Sequence, residues 1–160
     1  MHLAVGTRPD IAFAVSTVVQ FNNAPGEPHW EAVKHIYRYL SGTKSLTLTF
    51  GGVEKGLEGY TDVDGASQEH RRAISGYAYL LDGGAVSWAS RKQELVTLST
   101  AEAKYVAATH AAKEGLWLRQ LIGEVFHPLA HPIPLHLDSQ SAIALTKDGS
   151  YHACTKHIDI

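Results

Sequence analysis

A chain of 160 residues, 44% of them apolar, can build one sizeable core but is too short for two full-sized domains. Fourteen basic residues against sixteen acidic ones leave a net charge of −2, which excludes nucleic-acid binding driven by overall positive charge, so any grip on phosphate must be local. No apolar run approaches the roughly 20 residues that span a bilayer, the start MHLAVGTRPD lacks a secretory pattern, and the lone Cys154 has no disulfide partner; these point to an intracellular protein, cytoplasmic or nuclear, with no membrane partner.

Ile11, Val15, Val18 and Val19 recur at helical spacing between Pro9 and Phe21, with Pro9 suited to a first turn. After the breaker from Asn22 to Pro28, a second helix is expected with Trp30, Val33, Ile36, Tyr37 and Leu40 on one face and Gly42 ending it. Leu46, Leu48 and Phe50 alternate with threonines, which reads as a strand closed by Gly51 and Gly52. Three further strands follow at Leu57 to Asp62, Ser75 to Leu81 and Ala85 to Ala89, the last two joined through Asp82, Gly83 and Gly84 as a hairpin. A long helix from Ser99 to Glu124 has Ser99 or Thr100 as its cap and a stripe of Ala101, Tyr105, Ala108, Ala112 and Leu116 to set against the sheet. Ile133 to Leu137 reads as a strand beside the first, reached by the helical crossover, with Asp138 at its end. Ser139 or Ser141 can cap a short last helix through Lys147.

Acidic residues punctuate this order in distinctive contexts: GYTD ending at Asp62, LSTAEAKY around Glu102, LHLDSQSAIAL around Asp138 and TKHIDI around Asp159. Two neighbouring strands that end in Asp62 and Asp138 bring both carboxylates to one sheet edge, where active sites of such sheets lie. Carboxylates gathered in one pocket repel each other, and a divalent cation relieves that; oxygen-only ligands favour Mg²⁺ or Mn²⁺. His127, His131 and His136 do not form a zinc pattern, because Pro128, Pro132 and Pro134 break the segment. Trp88 and Trp117, with their apolar neighbours, are expected in the core.

The segments TRPDIAFAVSTVVQF, HWEAVKHIYRYLSGT, GYTD, RRAISGYAYLLDGGAVSWASRKQ, LSTAEAKY, AAKEGLWLRQL, DSQSAIAL and TKHIDI, in this order, resemble the end of a copia-type LTR retrotransposon Pol polyprotein. The resemblance spans nearly the whole chain. It implies an α/β fold with an RNase H-like mixed sheet and flanking helices, preceded by a small helical segment. Residues 1–50 would be a helical remnant of the reverse transcriptase connection or thumb region, and residues 51–160 an RNase H-like domain cut short at its C-terminus. The implied reaction is cleavage of the RNA strand of an RNA/DNA hybrid by two-metal-ion hydrolysis with Mg²⁺ or Mn²⁺. Implied metal ligands are Asp62, Glu102, Asp138 and Asp159, with His157 as an additional catalytic group. The remaining implied partner is the reverse transcriptase part of a larger polyprotein.

One position is ambiguous. The family usually carries two glutamates in the stretch written here AEAKY, whereas this chain has Glu102 and Lys104. They lie about 200° apart round a helix, so one alone can face the metals, and both flank the expected apolar stripe equally. With Glu102 inward the acid set is complete; with Lys104 inward an ammonium occupies a cation site and the domain becomes an inactive module that binds nucleic acid or a polymerase partner. Phosphate contacts are expected from Arg71 and Arg72, from Arg91 and Lys92, and from Lys34 and Arg38.

Overall fold

The structure, a computed structural model, describes residues 1–51, 56–64, 72–97 and 99–147. Two short helices, α1 (His2–Gly6) and α2 (Ala12–Val19), flank a 3₁₀ turn at Pro9–Ile11 and precede α3 (Glu27–Gly42). Then come β1 (Leu57–Asp64), β2 (Ile74–Leu81), β3 (Gly84–Lys92), the long α4 (Thr100–Val125), β4 (Leu135–His136) and α5 (Gln140–Lys147). The sheet has the order β3-β2-β1-β4, antiparallel across β1, β2 and β3, and parallel between β1 and β4. This mixed four-stranded sheet with flanking helices is consistent with the RNase H-like fold that the sequence implies.

Asp82 and Gly83 both take positive φ, 48° and 84°, which is the backbone of a two-residue hairpin whose twist matches its strands. Gly56 N–H donates to Asp82 Oδ1 at 2.9 Å and ties the turn to the start of β1.

The core lies between the sheet and α4. Leu57, Tyr79, Leu118 and Ile122 form one buried cluster and Val63, Ala73, Ala103 and Ala107 a second. Tyr79 is the largest member and is fully buried; its hydroxyl donates to the Ala111 carbonyl at 2.6 Å, and burial, reinforced by Glu114, pushes its pKa up to about 12. Its ring fills a gap that only glycines leave open. A Cβ on Gly59 of β1 would lie 2.5 Å from Tyr79 Cε1, and one on Gly115 of α4 would lie 2.4 Å from its hydroxyl.

Three expectations change here. Residues 46–50 are extended but form no strand; the Thr49 carbonyl and the Phe50 ring abut Gly84 at the start of β3. The alternation does not bury one face, since Leu46 and Phe50 stay more than half exposed, and the segment forms no ladder with the sheet. The second difference is β4, which has only two residues, because Pro132 and Pro134 have no N–H to donate; the Pro134 carbonyl still accepts from Gly59 N–H at 2.9 Å. On α4 the buried stripe is Ala103, Val106, Ala107, Ala108, Ala111, Gly115, Leu118 and Ile122, so of the expected stripe only Ala108 is buried, and Leu116 and Trp117 are exposed.

The N-terminal helices dock on the other side of the sheet. Trp88 Nε1 donates to the Ala4 carbonyl at 2.7 Å, and Ser16 meets Ser90 through their hydroxyls at 3.3 Å. Arg8 holds this unit together by donating to Asp10 and Thr43, while Tyr39 of α3 donates to Asp10 at 2.8 Å. Among the described residues no helix is long and apolar enough to cross a membrane.

Two measurements check this packing. Gly115→Ala is expected to cost about 1–3 kcal/mol in chemical denaturation, because the added methyl meets a ring that cannot retreat. The hydrogen bond from Arg8, with a further one from Tyr39, holds the Asp10 pKa at about 2, below its usual 3.8. A depressed carboxyl stabilises the fold above its unfolded pKa and loses that contribution as pH falls through the folded one. Asp10→Asn should therefore flatten the acid limb of the stability curve between about pH 4 and 2.

Candidate functional site

The parallel pairing of β1 with β4 sets Gly59 opposite Leu135 and Tyr60 opposite His136. The Tyr60 and His136 rings stack at 4.8 Å. Two residues beyond each partner come Asp62, still in β1, and Asp138, in the bend that follows β4, and both line one cleft with Tyr60 and His136. Shared register therefore brings the two aspartates to one edge. Both are exposed, with side chains 73% and 63% accessible, as groups that meet a solvent-borne ligand must be.

Between them stands Lys104. Its Nζ donates to both carboxylate oxygens of Asp138 and lies 3.3 Å from Asp62 Oδ1. An ammonium has three N–H donors and no acceptor, so three carboxylate oxygens match its capacity. Hydrogen bonds donated to Asp138 first, and then to Asp62, raise the Lys104 pKa, and the side chain stays charged. The Asp62 carboxylate also accepts from Val63 N–H at 2.7 Å, which holds its orientation.

The reason Lys104 points here is the turn of α4. At 100° per residue the buried set centres about 70° past Ala103, which leaves Lys104 about 30° and Glu102 about 170° from that centre. Position 104 is therefore the one that faces the sheet edge. Glu102 belongs to the first turn, where its N–H donates to the Ser99 cap at 3.2 Å.

Ser139 caps α5 by accepting from Ala142 N–H at 3.2 Å, so Asp138 is not needed as a cap. Arg91 and Lys92 do not act as a pair, because successive strand residues point to opposite faces. Arg91 lies on the α4 side, whereas Lys92 lies on the side of α2 and donates to Gln20 Oε1 at 3.4 Å. Arg72 is exposed just ahead of β2, and Lys34 bonds Glu31. Arg71, His157 and Asp159 lie outside the described residues.

Sequence reasoning missed Gln93. It is buried, receives no attention from periodicity, and donates through Nε2 to Ser75 Oγ and to the Ala103 carbonyl, both at 2.8 Å. That clamp ties β2 and the end of β3 to the first turn of α4, one residue from Lys104. No sequence signal singled it out, since the expected third strand stopped at Ala89, four residues earlier.

Of the four expected ligands for Mg²⁺ or Mn²⁺, the described residues include Asp62, Glu102 and Asp138, and only Asp62 and Asp138 share the edge. Among the described residues no three acidic, histidine or cysteine side chains converge as a metal site. The two carboxylates that do share an edge already hold a cation of the chain itself, and a second cation there is repelled.

No protein-family model and no solved structure matches the chain. Among curated proteins, it is 49% identical over its full length to the retrovirus-related Pol polyprotein from transposon TNT 1-94 of Nicotiana tabacum, of which it spans 12%. It is 34% identical over 96% of its length to the Pol polyprotein from transposon RE1 of Arabidopsis thaliana, spanning 11% of that protein. A third relative is the secreted RxLR effector protein 161 of Plasmopara viticola, 46% identical over 74% of this chain and 84% of the effector. The chain thus corresponds to about one eighth of the Pol polyproteins it matches. The identity along the whole chain and the mixed sheet with flanking helices agree: this chain belongs to the copia-type retrovirus-related Pol polyproteins of plant transposons.

Proposed function

We propose that the chain is the RNase H-like unit of a retroelement Pol polyprotein and that it engages RNA/DNA hybrid without cutting it. The observation that carries this is Lys104 bonded to Asp138 and 3.3 Å from Asp62. In a cleaving relative of this fold, carboxylates at such an edge would hold divalent ions, which supply an activated water and stabilise the leaving oxygen. Here the lysine neutralises one of the two negative charges and offers no lone pair to a metal. The aspartates are thereby committed to a chain-borne cation, and what remains for the domain is recognition of the duplex. Asp159 and Glu102 enter this reading as members of the ancestral acid set, and His157 as the additional catalytic group that the family resemblance implies. The reverse transcriptase part of a longer polyprotein is the partner that this ancestry supplies.

The test compares the parent with Lys104→Glu and Asp62→Asn on labelled RNA/DNA hybrid in Mg²⁺. The parent should retard hybrid in gels and yield no cleavage product; cleavage by the parent that disappears in Asp62→Asn would overturn the reading. A readout independent of cleavage is thermal stability. At ten times its dissociation constant Mg²⁺ should add about 1.4 kcal/mol to Lys104→Glu and nothing to the parent.

The ion pairs themselves are exposed, so Lys104→Met is expected to cost less than about 1 kcal/mol at neutral pH. The Lys104 pKa is raised above the ordinary 10.5, so its contribution is fully present below that value and is lost as pH climbs past the folded pKa. The stability difference between parent and Lys104→Met should close over that alkaline range.

A further inference from the structure

On the α4 side of the sheet, away from the aspartates, α4 and β3 leave a cleft of about 330 Å³ lined by Tyr77, Arg91, His110, Lys113 and Glu114. His110, Lys113 and Glu114 follow one another on one flank of α4 at helical spacing, and Arg91 rises from β3 opposite Ser75. Its charges are unevenly partnered. Glu114 accepts from Ser87 Oγ at 2.6 Å, whereas neither Arg91 nor Lys113 makes a hydrogen bond or ion pair among the described residues. Elsewhere Arg8, Lys34 and Lys104 each bond a carboxylate of the chain. Two cations beside a half-buried imidazole outnumber the one carboxylate that lines the cleft, Glu114, which is bonded to Ser87, and make a locally positive site in a chain of net charge −2.

We propose that this cleft binds a phosphate group, through the Arg91 guanidinium, the Lys113 ammonium and the His110 imidazole. Three donors rising from a strand and a helix suit a tetrahedral oxyanion, and the guanidinium fork can take two of its oxygens. Burial first, then Lys113 and Arg91, lower the His110 pKa, with Glu94 opposing them. The imidazole is therefore neutral-prone while the cleft is empty of anion, and a bound phosphate reverses the sign of its surroundings and favours its proton. Tyr77, its pKa raised by burial and by Glu114, stays a neutral phenol at the cleft wall. His110 and Lys113 lie about 9 and 13 Å along α4 from Lys104 and about 120° and 180° round it, so a phosphate held here is a contact separate from the aspartate edge. The backbone as source of the phosphate rests on the hybrid-binding reading above; free phosphate is the other source with the same chemistry.

The experiment is an NMR pH titration of His110, identified by His110→Gln, without additive, with inorganic phosphate, and with an RNA/DNA hybrid oligonucleotide. Phosphate should move the His110 midpoint upward, and Arg91→Gln with Lys113→Gln should weaken the apparent affinity about tenfold or more. A response to hybrid as well assigns the backbone; a response to inorganic phosphate alone assigns the free ion. A His110 midpoint that ignores both ligands, or an equal response in the double variant, overturns the site. Hybrid retained in gels without any His110 response sinks the cleft and leaves the hybrid-binding reading intact.

Discussion

The contact of Tyr79 with Gly59 and Gly115 governs how α4 sits on the sheet. The ring occupies the thickness that two side chains would otherwise need, and its hydroxyl is bonded to the Ala111 carbonyl, so the helix can neither roll nor slide without opening a void or breaking a buried hydrogen bond. Everything that faces the aspartate edge follows from that. With the helix turned to place Ala107, Ala111 and Gly115 inward, position 104 meets Asp62 and Asp138, and position 102 starts from the far side. Gln93 fixes the same orientation at the other end, by bonding the Ala103 carbonyl.

Much of this was legible from residues alone, and what failed did so for identifiable reasons. The strands at β1, β2 and β3 announced themselves because one buried face imposes period two and the Asp-Gly turn has few alternative uses. The parallel β1–β4 neighbours followed from the helical crossover between them. The face of α4 did not, because alanine covers half the circumference of that helix, from Ala103 round to Ala112, and glycine does not count as apolar in a periodicity reading. Gly115 is at the centre of the core for lack of a side chain, and only the tyrosine across from it reveals why. Arg91 and Lys92 looked like a pair by adjacency, yet strand geometry sends neighbours to opposite faces. The extended stretch 46–50 kept the alternation of a strand while its backbone remained outside the ladder.

The edge where Asp62 and Asp138 meet shows how one substitution can redirect a site without disturbing the fold. Two carboxylates in register cost electrostatic energy unless a cation joins them. A lysine stem is long enough to lie along the helix surface and deliver its charge at the sheet edge, so the apolar part packs and the ammonium satisfies the acids. The repulsion that would otherwise demand a bound ion is relieved within the chain, and no further adjustment of the strands is required. The charge that settles the aspartates also weakens the negative potential that would draw a metal ion to them.

The same helix carries the opposite arrangement a few turns further on. At Lys104 a cation is paired with anions; at Lys113 and Arg91 no ion pair forms among the described residues, and the carboxylate that lines their cleft, Glu114, is bonded to Ser87. In a chain of slightly negative net charge such a distribution is costly unless an outside anion completes it, because like charges brought together on a rigid helix and strand repel. The aspartate edge at one end of α4 and the proposed phosphate cleft along its flank use different side chains, so a change at the first leaves the second untouched. A domain whose acids are neutralised internally can in this way keep a surface suited to a polyanion, and its net negative charge then limits that contact to the flank where the unpaired cations lie.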